Sequence, residues 1–265
     1  MDLGLNGKVV FLTGGSGGIG ATTARMLGEE GARVALTYRD GRDAAEKVAA
    51  DIEGGGGTAM VVRYDLTDPV SIRAAVSQVI TDWGGIDVLV ACASTAGAPG
   101  RHGVPFQQVP IEKWRTELHE VEGQFHTVRD VLPTMKERGG GRIVLLSASL
   151  VRHGRAGNEG YVAAKSAIHG LSRTLATELV TDGILCNVVA PGPTVTDRLL
   201  REQLPDDLAA EVRHAGPARA REILDRKLPH LRFSTPEEVA RVVCFFGSWA
   251  NGNVTGDVVY VAGGR

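Results

Sequence analysis

The chain lacks a charge imbalance. Its 265 residues carry 29 Lys and Arg against 31 Asp and Glu, a formal charge of −2 at pH 7. There is therefore no whole-protein basic field to draw in nucleic acid or an anionic membrane surface, and neither is expected as a partner. No run approaches the about 20 apolar residues that a membrane-spanning helix needs. Met1–Val10 has no basic head leading into an apolar core, so no secretory signal is read there. Cysteine is scarce: Cys92, Cys186 and Cys244 lie far apart in apolar runs. That spacing suits no metal, and an odd count argues against a disulfide framework. A reduced, cytoplasmic protein without a metal site is expected.

What is present is ordinary globular composition, 43% apolar and 23% charged. The length suits one α/β domain over 1–265, and a chain of this size buries about 70% or more of its unfolded surface without staples. Short apolar runs alternate with longer amphipathic ones along the whole chain. Lys8–Thr13, Arg33–Tyr38, Ala59–Tyr64, Ile86–Ala91, Arg142–Ser147, Ile184–Ala190 and Asp257–Val261 read as strands, each continuously apolar, as when both sheet faces are covered. Gly18–Glu30, Arg42–Glu53, Pro69–Trp83, Glu112–Lys136, Gly160–Thr181 and Thr235–Ser248 read as helices. This repetition predicts a seven-stranded, doubly wound parallel sheet with helices on both faces. Thr194–Phe233, rich in Arg, Leu and Pro, fits no strand and predicts one or two helices over the open end of the sheet, a candidate substrate lid.

Thr13-Gly14-Gly15-Ser16-Gly17-Gly18-Ile19-Gly20 follows the first strand and opens the first helix. Glycines let the backbone approach a pyrophosphate, and a helix N-terminus offers free N–H groups and the positive end of its dipole. The second strand ends at Tyr38-Arg39, where an acidic residue would grip a ribose 2′-hydroxyl. A guanidinium without that carboxylate suits a 2′-phosphate, which predicts NADP. Asp65-Leu66 closes the third strand, where the carboxylate could accept from an adenine amino group or help cap the next helix. Tyr161 and Lys165, at i and i+4, share one helix face. An ammonium near a phenol lowers its pKa and makes it a usable acid or base.

On these motifs, together with Asn187, Pro191-Gly192, Thr196 and the tail Val254-Thr255-Gly256 to Gly263-Gly264, the chain resembles a short-chain dehydrogenase/reductase along nearly its whole length. The spacing is similar to that of the single-domain ketoacyl and polyketide ketoreductases. The resemblance implies a Rossmann-type fold and NAD(P)-dependent hydride transfer between an alcohol and a ketone. It implies that Tyr161 exchanges the proton while Lys165 holds the nicotinamide ribose and tunes Tyr161. The cofactor would meet Gly14, Ser16, Gly18, Ile19, Gly20, Tyr38, Arg39, Asp65, Leu66, Ala93, Pro191, Gly192, Thr194 and Thr196. Homodimers or homotetramers packed through the two long helices are also implied.

The chain departs from the family in three places. The fourth strand, normally followed by Asn-Asn-Ala-Gly, runs into Ala91-Cys92-Ala93-Ser94. The family's catalytic Ser, 13 residues before the Tyr, is Ala148, flanked by Ser147 and Ser149. In extended chain both neighbours face away from Ala148. Ser149, nearer the strand's C-terminal end, is the first choice for the missing donor. The third departure is the long helix's Asn, which aligns with Glu120. Glu120 is read either as a carboxylate paired with Lys165 or as a surface or interface Glu. If paired, it would partly cancel the field of Lys165 and leave Tyr161 a weaker acid. His102, His153 and His214 read as surface residues. Arg101, Arg152 and Arg155 read as solvated, or as greeting an anionic substrate at the mouth. Two functions follow: an NADPH-dependent ketone/alcohol oxidoreductase, or a redeployed relative that binds NADP and acts as an isomerase, dehydratase-like catalyst or non-redox binding protein.

Overall fold

The computed structural model describes residues 2–95, 105–202, 204, 206–212, 215–228 and 232–264. Strands β1 (Val9–Thr13), β2 (Arg33–Tyr38), β3 (Thr58–Arg63), β4 (Val88–Ala91), β5 (Gly141–Leu146), β6 (Ile184–Pro191) and β7 (Val258–Val261) form one parallel sheet. Their order is β3-β2-β1-β4-β5-β6-β7. Between them run α1 (Gly18–Glu29), α2 (Arg42–Gly54), α3 (Pro69–Trp83), α4 (Ile111–Glu137), α5 (Glu159–Leu179), α6 (Asp197–Glu202), α7 (Asp206–Val212), α8 (Pro217–Lys227) and α9 (Pro236–Phe246). Among the described residues no helix is long and apolar enough to cross a membrane.

The strands are continuously apolar because each face meets helices. Successive side chains point to opposite faces. Val9 and Phe11 join Ile72, Val76, Val131, Met135 and Ile168 under α3, α4 and α5. Val10 and Leu12 join Ala24, Leu27, Val48, Ile52, Val239 and Val243 under α1, α2 and α9. Among its described residues the segment 194–233 carries three short helices rather than one or two. Their apolar residues Val195, Leu199, Val212, Ile223, Leu224 and Phe233 form a separate small core, because its short amphipathic runs can bury their faces against one another.

Element ends differ from the sequence reading by a residue or two, for local reasons. Thr235 is the N-cap of α9 in a capping box with Glu238, so the helix proper starts at Pro236. The last turn of α5 tightens into a 3-10 turn at Val180–Asp182 before Gly183, whose φ is +70°. β4 starts at Val88 because the Asp87 carboxylate stands in for part of the ladder. Its Oδ2 accepts from Val9 N at 2.8 Å, and Arg138 binds both of its oxygens at 2.9 Å. Asp87 is buried, whereas Arg138 is partly exposed.

Asp87→Ala leaves the buried Val9 N–H without its acceptor, a loss of about 1–3 kcal/mol. Thermal unfolding should shift down by roughly 2–10 °C. An unchanged midpoint would show that Asp87 plays no part in anchoring β1 to α4.

Candidate functional site

The strand order reverses between β1 and β4. The chain leaving β1 enters α1 on one face, and the chain leaving β4 leads toward α4 on the other, which opens a crevice at the C-terminal ends of the strands. The two outgoing loops touch at the crevice floor, where Ala93 N donates to Thr13 Oγ1 at 3.0 Å. Gly14, with φ +71°, is required there, since a Cβ would lie 2.9 Å from the Ala93 backbone. A Cβ on Gly20 would lie 2.1 Å from Gly14 O, so only glycine lets α1 start this close to β1. Nothing lies within 4 Å of a Cβ built on Gly17, the N-cap of α1, which has no side-chain cap. This turn is a bare helix N-terminus with open space at Gly17, which fits a dinucleotide pyrophosphate. Thr196 overhangs it, 3.3 Å from a Cβ built on Gly18.

At the end of β2, Tyr38 is half-buried and Arg39 lies on the surface, paired with Asp40 at 2.6 Å. Ser16 lies near the start of α2, about 4.0 Å from a Cβ built on Gly41. Asp65 Oδ1 accepts from Thr67 N at 2.9 Å and Thr67 Oγ1 at 2.8 Å. The Thr67 amide holds this carboxyl below its usual range against the pull of burial, helped by the Thr67 hydroxyl, Arg39 and Arg63. The cap of α3 is Asp68, not Asp65. The Leu66 carbonyl packs so closely on α4 that a Cβ at Gly123 would lie 2.1 Å from it.

Tyr161 and Lys165 stand on successive turns of α5, with Lys165 Nζ 5.8 Å from the Tyr161 ring centre. Lys165 is buried, donates to Leu146 O at 3.3 Å and forms an ion pair with Glu120 Oε1. The surface or interface reading of Glu120 is thereby corrected: it is 1% exposed. Its other oxygen accepts from Ser94 Oγ at 2.6 Å, and Gln124 Nε2 lies 3.5 Å from Oε1. Burial raises the Tyr161 pKa, Lys165 pulls it down, Glu120 pushes it up and Arg198 pulls it down, for a net rise. Burial alone would lower Lys165, but the charge of Glu120, then Tyr161 and the hydrogen bond to Glu120, raise it overall. Burial pushes the neighbouring Cys92 thiol up to about 11.

Ala148 is extended, with φ −151° and ψ 146°. Ser147 does not face the crevice. Its hydroxyl donates to the Lys165 carbonyl at 2.9 Å, so His169 Nε2, 2.8 Å away, must be the donor to Ser147. Burial, with Arg173, lowers the His169 pKa, which keeps the ring neutral. Ser149 is buried and begins a 3-10 turn through Arg152. The alternation that turned it away from Ala148 in extended chain therefore stops before it.

Pro191 ends β6. Gly192 runs against β7, where a Cβ would lie 2.8 Å from Ala262 Cα. Thr194 Oγ1 donates to Gly192 O at 3.0 Å, and Thr196 Oγ1 accepts from Leu199 N at 3.2 Å. His153 and Arg155 are exposed, and Arg152 lies 4.6 Å over the Tyr260 ring. Arg101, His102 and His214 lie outside the described residues. Among the described residues no cluster of His, Cys, Asp and Glu could hold a metal ion. Sequence reasoning did not single out Ser94, Gln124 or His169. Ser94 had a signal, a hydroxyl where the family carries Gly after β4.

The family model for short chain dehydrogenase matches residues 8–205. The chain is 34% identical to a cis-4-hydroxycyclohexanecarboxylate dehydrogenase of Sinomonas cyclohexanicum, over 97% of this chain and 96% of that one. It is 29% identical to a 3-oxoacyl-(acyl-carrier-protein) reductase of Staphylococcus aureus, over 97% of each. Among solved structures, L-sorbose reductase from Gluconobacter frateurii, complexed with NADPH and L-sorbose, superposes with a TM-score of 0.86 at 28% identity, over 99% of this chain and 98% of that one. A 7α-hydroxysteroid dehydrogenase complexed with NADH and 7-oxo glycochenodeoxycholic acid gives 0.84 at 28% identity, over 99% and 96%.

Gly20→Ala forces the turn at Gly14 apart. The dissociation constant for a nicotinamide dinucleotide, read by fluorescence titration, should rise at least about tenfold, equivalent to ~1.4 kcal/mol. An unchanged constant would remove this turn from the binding site.

Proposed function

The chain belongs to the short chain dehydrogenase family of NAD(P)-dependent oxidoreductases, and on that premise we propose that it uses NADPH to interconvert a ketone and an alcohol on a small or polyketide-like metabolite. The observation that carries this reading is the placement of Tyr161 and Lys165 on successive turns of α5. Gly14, Ser16, Gly18, Ile19 and Gly20 would hold the pyrophosphate. Tyr38 and Arg39 would hold the 2′-phosphate, with Arg39 exchanging Asp40 for it. Asp65 and Leu66 would flank the adenine. Ala93, Pro191, Gly192, Thr194 and Thr196 would line the nicotinamide end, and Tyr161 and Lys165 would reach its ribose. Bound NADPH supplies the hydride. As the carbonyl carbon accepts it, the Tyr161 hydroxyl gives its proton to the carbonyl oxygen, and Ser149 donates a hydrogen bond to the developing alkoxide in place of the missing Ser at 148. The named substrates of the relatives, a hydroxycyclohexanecarboxylate, an oxoacyl thioester carrier and a sugar, support a carbonyl or secondary alcohol as the reacting group. Exposed Phe125 and Ile111 on α4 support assembly as a homodimer or homotetramer through α4 and α5.

Ala148 favours a second reading, a redeployed family member that binds NADP without redox turnover. NADPH absorbance followed with cyclic ketones, oxoacyl thioesters and quinones separates the two. Consumption with formation of the alcohol supports the first. Tight NADP binding with no turnover across the panel supports the second.

Arg39→Ala should lower the preference for NADPH over NADH by about tenfold to a hundredfold, since a charge-assisted pair contributes ~1.5–3 kcal/mol. Equal affinities in the unaltered enzyme would overturn the assignment. Tyr161→Phe should cost at least about a hundredfold in turnover with NADPH binding retained. Removing the alkoxide donor costs about 2.7–4 kcal/mol, so Ser149→Ala should lose roughly a hundredfold or more in kcat. If Ser149→Ala is silent and Ala148→Ser raises the rate, the site has no serine donor and Ser149 is structural.

A further inference from the structure

Two of the departures from the family, the rewritten segment after β4 and the acidic residue on α4, meet in space. Ser94 bonds one oxygen of Glu120 and Lys165 the other. Resting on the reading of Tyr161 as the proton donor, we propose that Glu120 is a positioning residue that neutralises Lys165 and so keeps the Tyr161 hydroxyl a proton donor through the neutral range instead of a ready proton acceptor.

The effect is electrostatic. A lone buried ammonium beside a phenol stabilises the phenolate, and an opposite charge within about 4–6 Å shifts such a group by about 1–3 pH units. A bonded carboxylate makes the pair net neutral, and Tyr161 then feels mostly its own burial, which favours the neutral phenol. Ser94 Oγ donates to one Glu120 oxygen at 2.6 Å and Lys165 bonds the other, so the carboxylate is anchored beside the ammonium. The other charged or titratable groups packed around this cluster do not replace it. Tyr64, at the end of β3, and Cys92, after β4, are pushed up by burial and stay neutral. Arg198 on α6 acts on Tyr161 in the opposite sense. Glu117, one turn earlier on α4, packs against Gly160, where a Cβ would lie 2.2 Å from its Oε2. Among the described residues the acidic group bonded to Lys165 is Glu120. A site built this way works as an acid: the reductive rate is full while Tyr161 is protonated and falls as pH rises through the titration of the Tyr161–Lys165 pair.

The test is phenolate absorbance of the cofactor-free protein through the alkaline range, with the Tyr161→Phe trace subtracted. It needs no turnover, so it stands even if no ketone is reduced. In Glu120→Gln the pair should lose its first proton about 1–3 pH units lower than in the unaltered protein, and the alkaline limb of the reductive pH profile should move with it. Glu120→Asp, which keeps the charge, should restore most of the shift. A Glu120→Gln titration that superimposes on the unaltered protein, or moves up, overturns the proposal. If Glu120→Gln does not fold, the double variant Glu120→Gln, Lys165→Met decides. Its site is net neutral again, so Tyr161 should titrate as in the unaltered protein. An upward shift in the double variant would mean that Lys165 acts on Tyr161 uncompensated, and the proposal would fail.

Discussion

A parallel sheet covered on both faces leaves its strand ends as the place where polar groups can be presented, and the reversal of order between β1 and β4 decides which end opens. Everything at the candidate site hangs from that constraint. The glycine turn leaves β1, Ala93 and Ser94 leave β4, Ala148 and Ser149 leave β5, and Pro191 to Thr196 leave β6, so residues far apart in sequence share one crevice. α4 and α5, packed on one face, bring Glu120, Tyr161 and Lys165 up to it. The close contacts at Gly14, Gly20 and Gly123 are the tolerances within which these loops meet.

Burying Lys165 and Glu120 together is costly, because each ion gives up several kcal/mol of hydration. The geometry offsets that cost by satisfying both ions: Lys165 has Leu146 O besides Glu120, and Glu120 has Ser94 and Gln124 besides Lys165. Such an arrangement is poor evidence for stability as its purpose. Its effect falls on Tyr161, whose acidity depends on the net charge beside it. Ser147 and His169 fix the same turn of α5 from behind, through the Lys165 carbonyl. The helix that carries both candidate catalytic groups is therefore held by its backbone as well as by its side chains.

Much of this was legible in the residues. Continuous apolar runs such as Val9–Thr13 announced a two-sided sheet, and Gly14 to Gly20 announced the turn, because burial and close approach leave direct marks on residue choice. Thr235 reads as helical in sequence because an N-cap residue and the first turn share the same residue preferences, and the helix proper starts one residue later. Segment 194–233 is harder to read, because the three short helices among its described residues pack on one another and leave no long period in the sequence. Ser147 faces away from the crevice, as extended chain requires, but its partners Lys165 O and His169 are visible only in the fold. The depth of Glu120 was hidden as well, since Glu112, Glu117 and Glu122 around it make a pattern like a solvated helix face. Ser94 is the clue that pairs with it, and only the fold brings the two together.

Isotope transfer tests most directly the proposed chemistry, hydride from NADPH to a carbonyl carbon with the proton from Tyr161. Incubation with NADPH deuterated on the transferring face of the nicotinamide, followed by mass spectrometry of the product alcohol, tests it directly. Deuterium at the carbinol carbon with the unaltered protein, and none above background with Tyr161→Phe, is the predicted result. Bound NADP with no deuterium transfer to any carbonyl compound in the panel would contradict it.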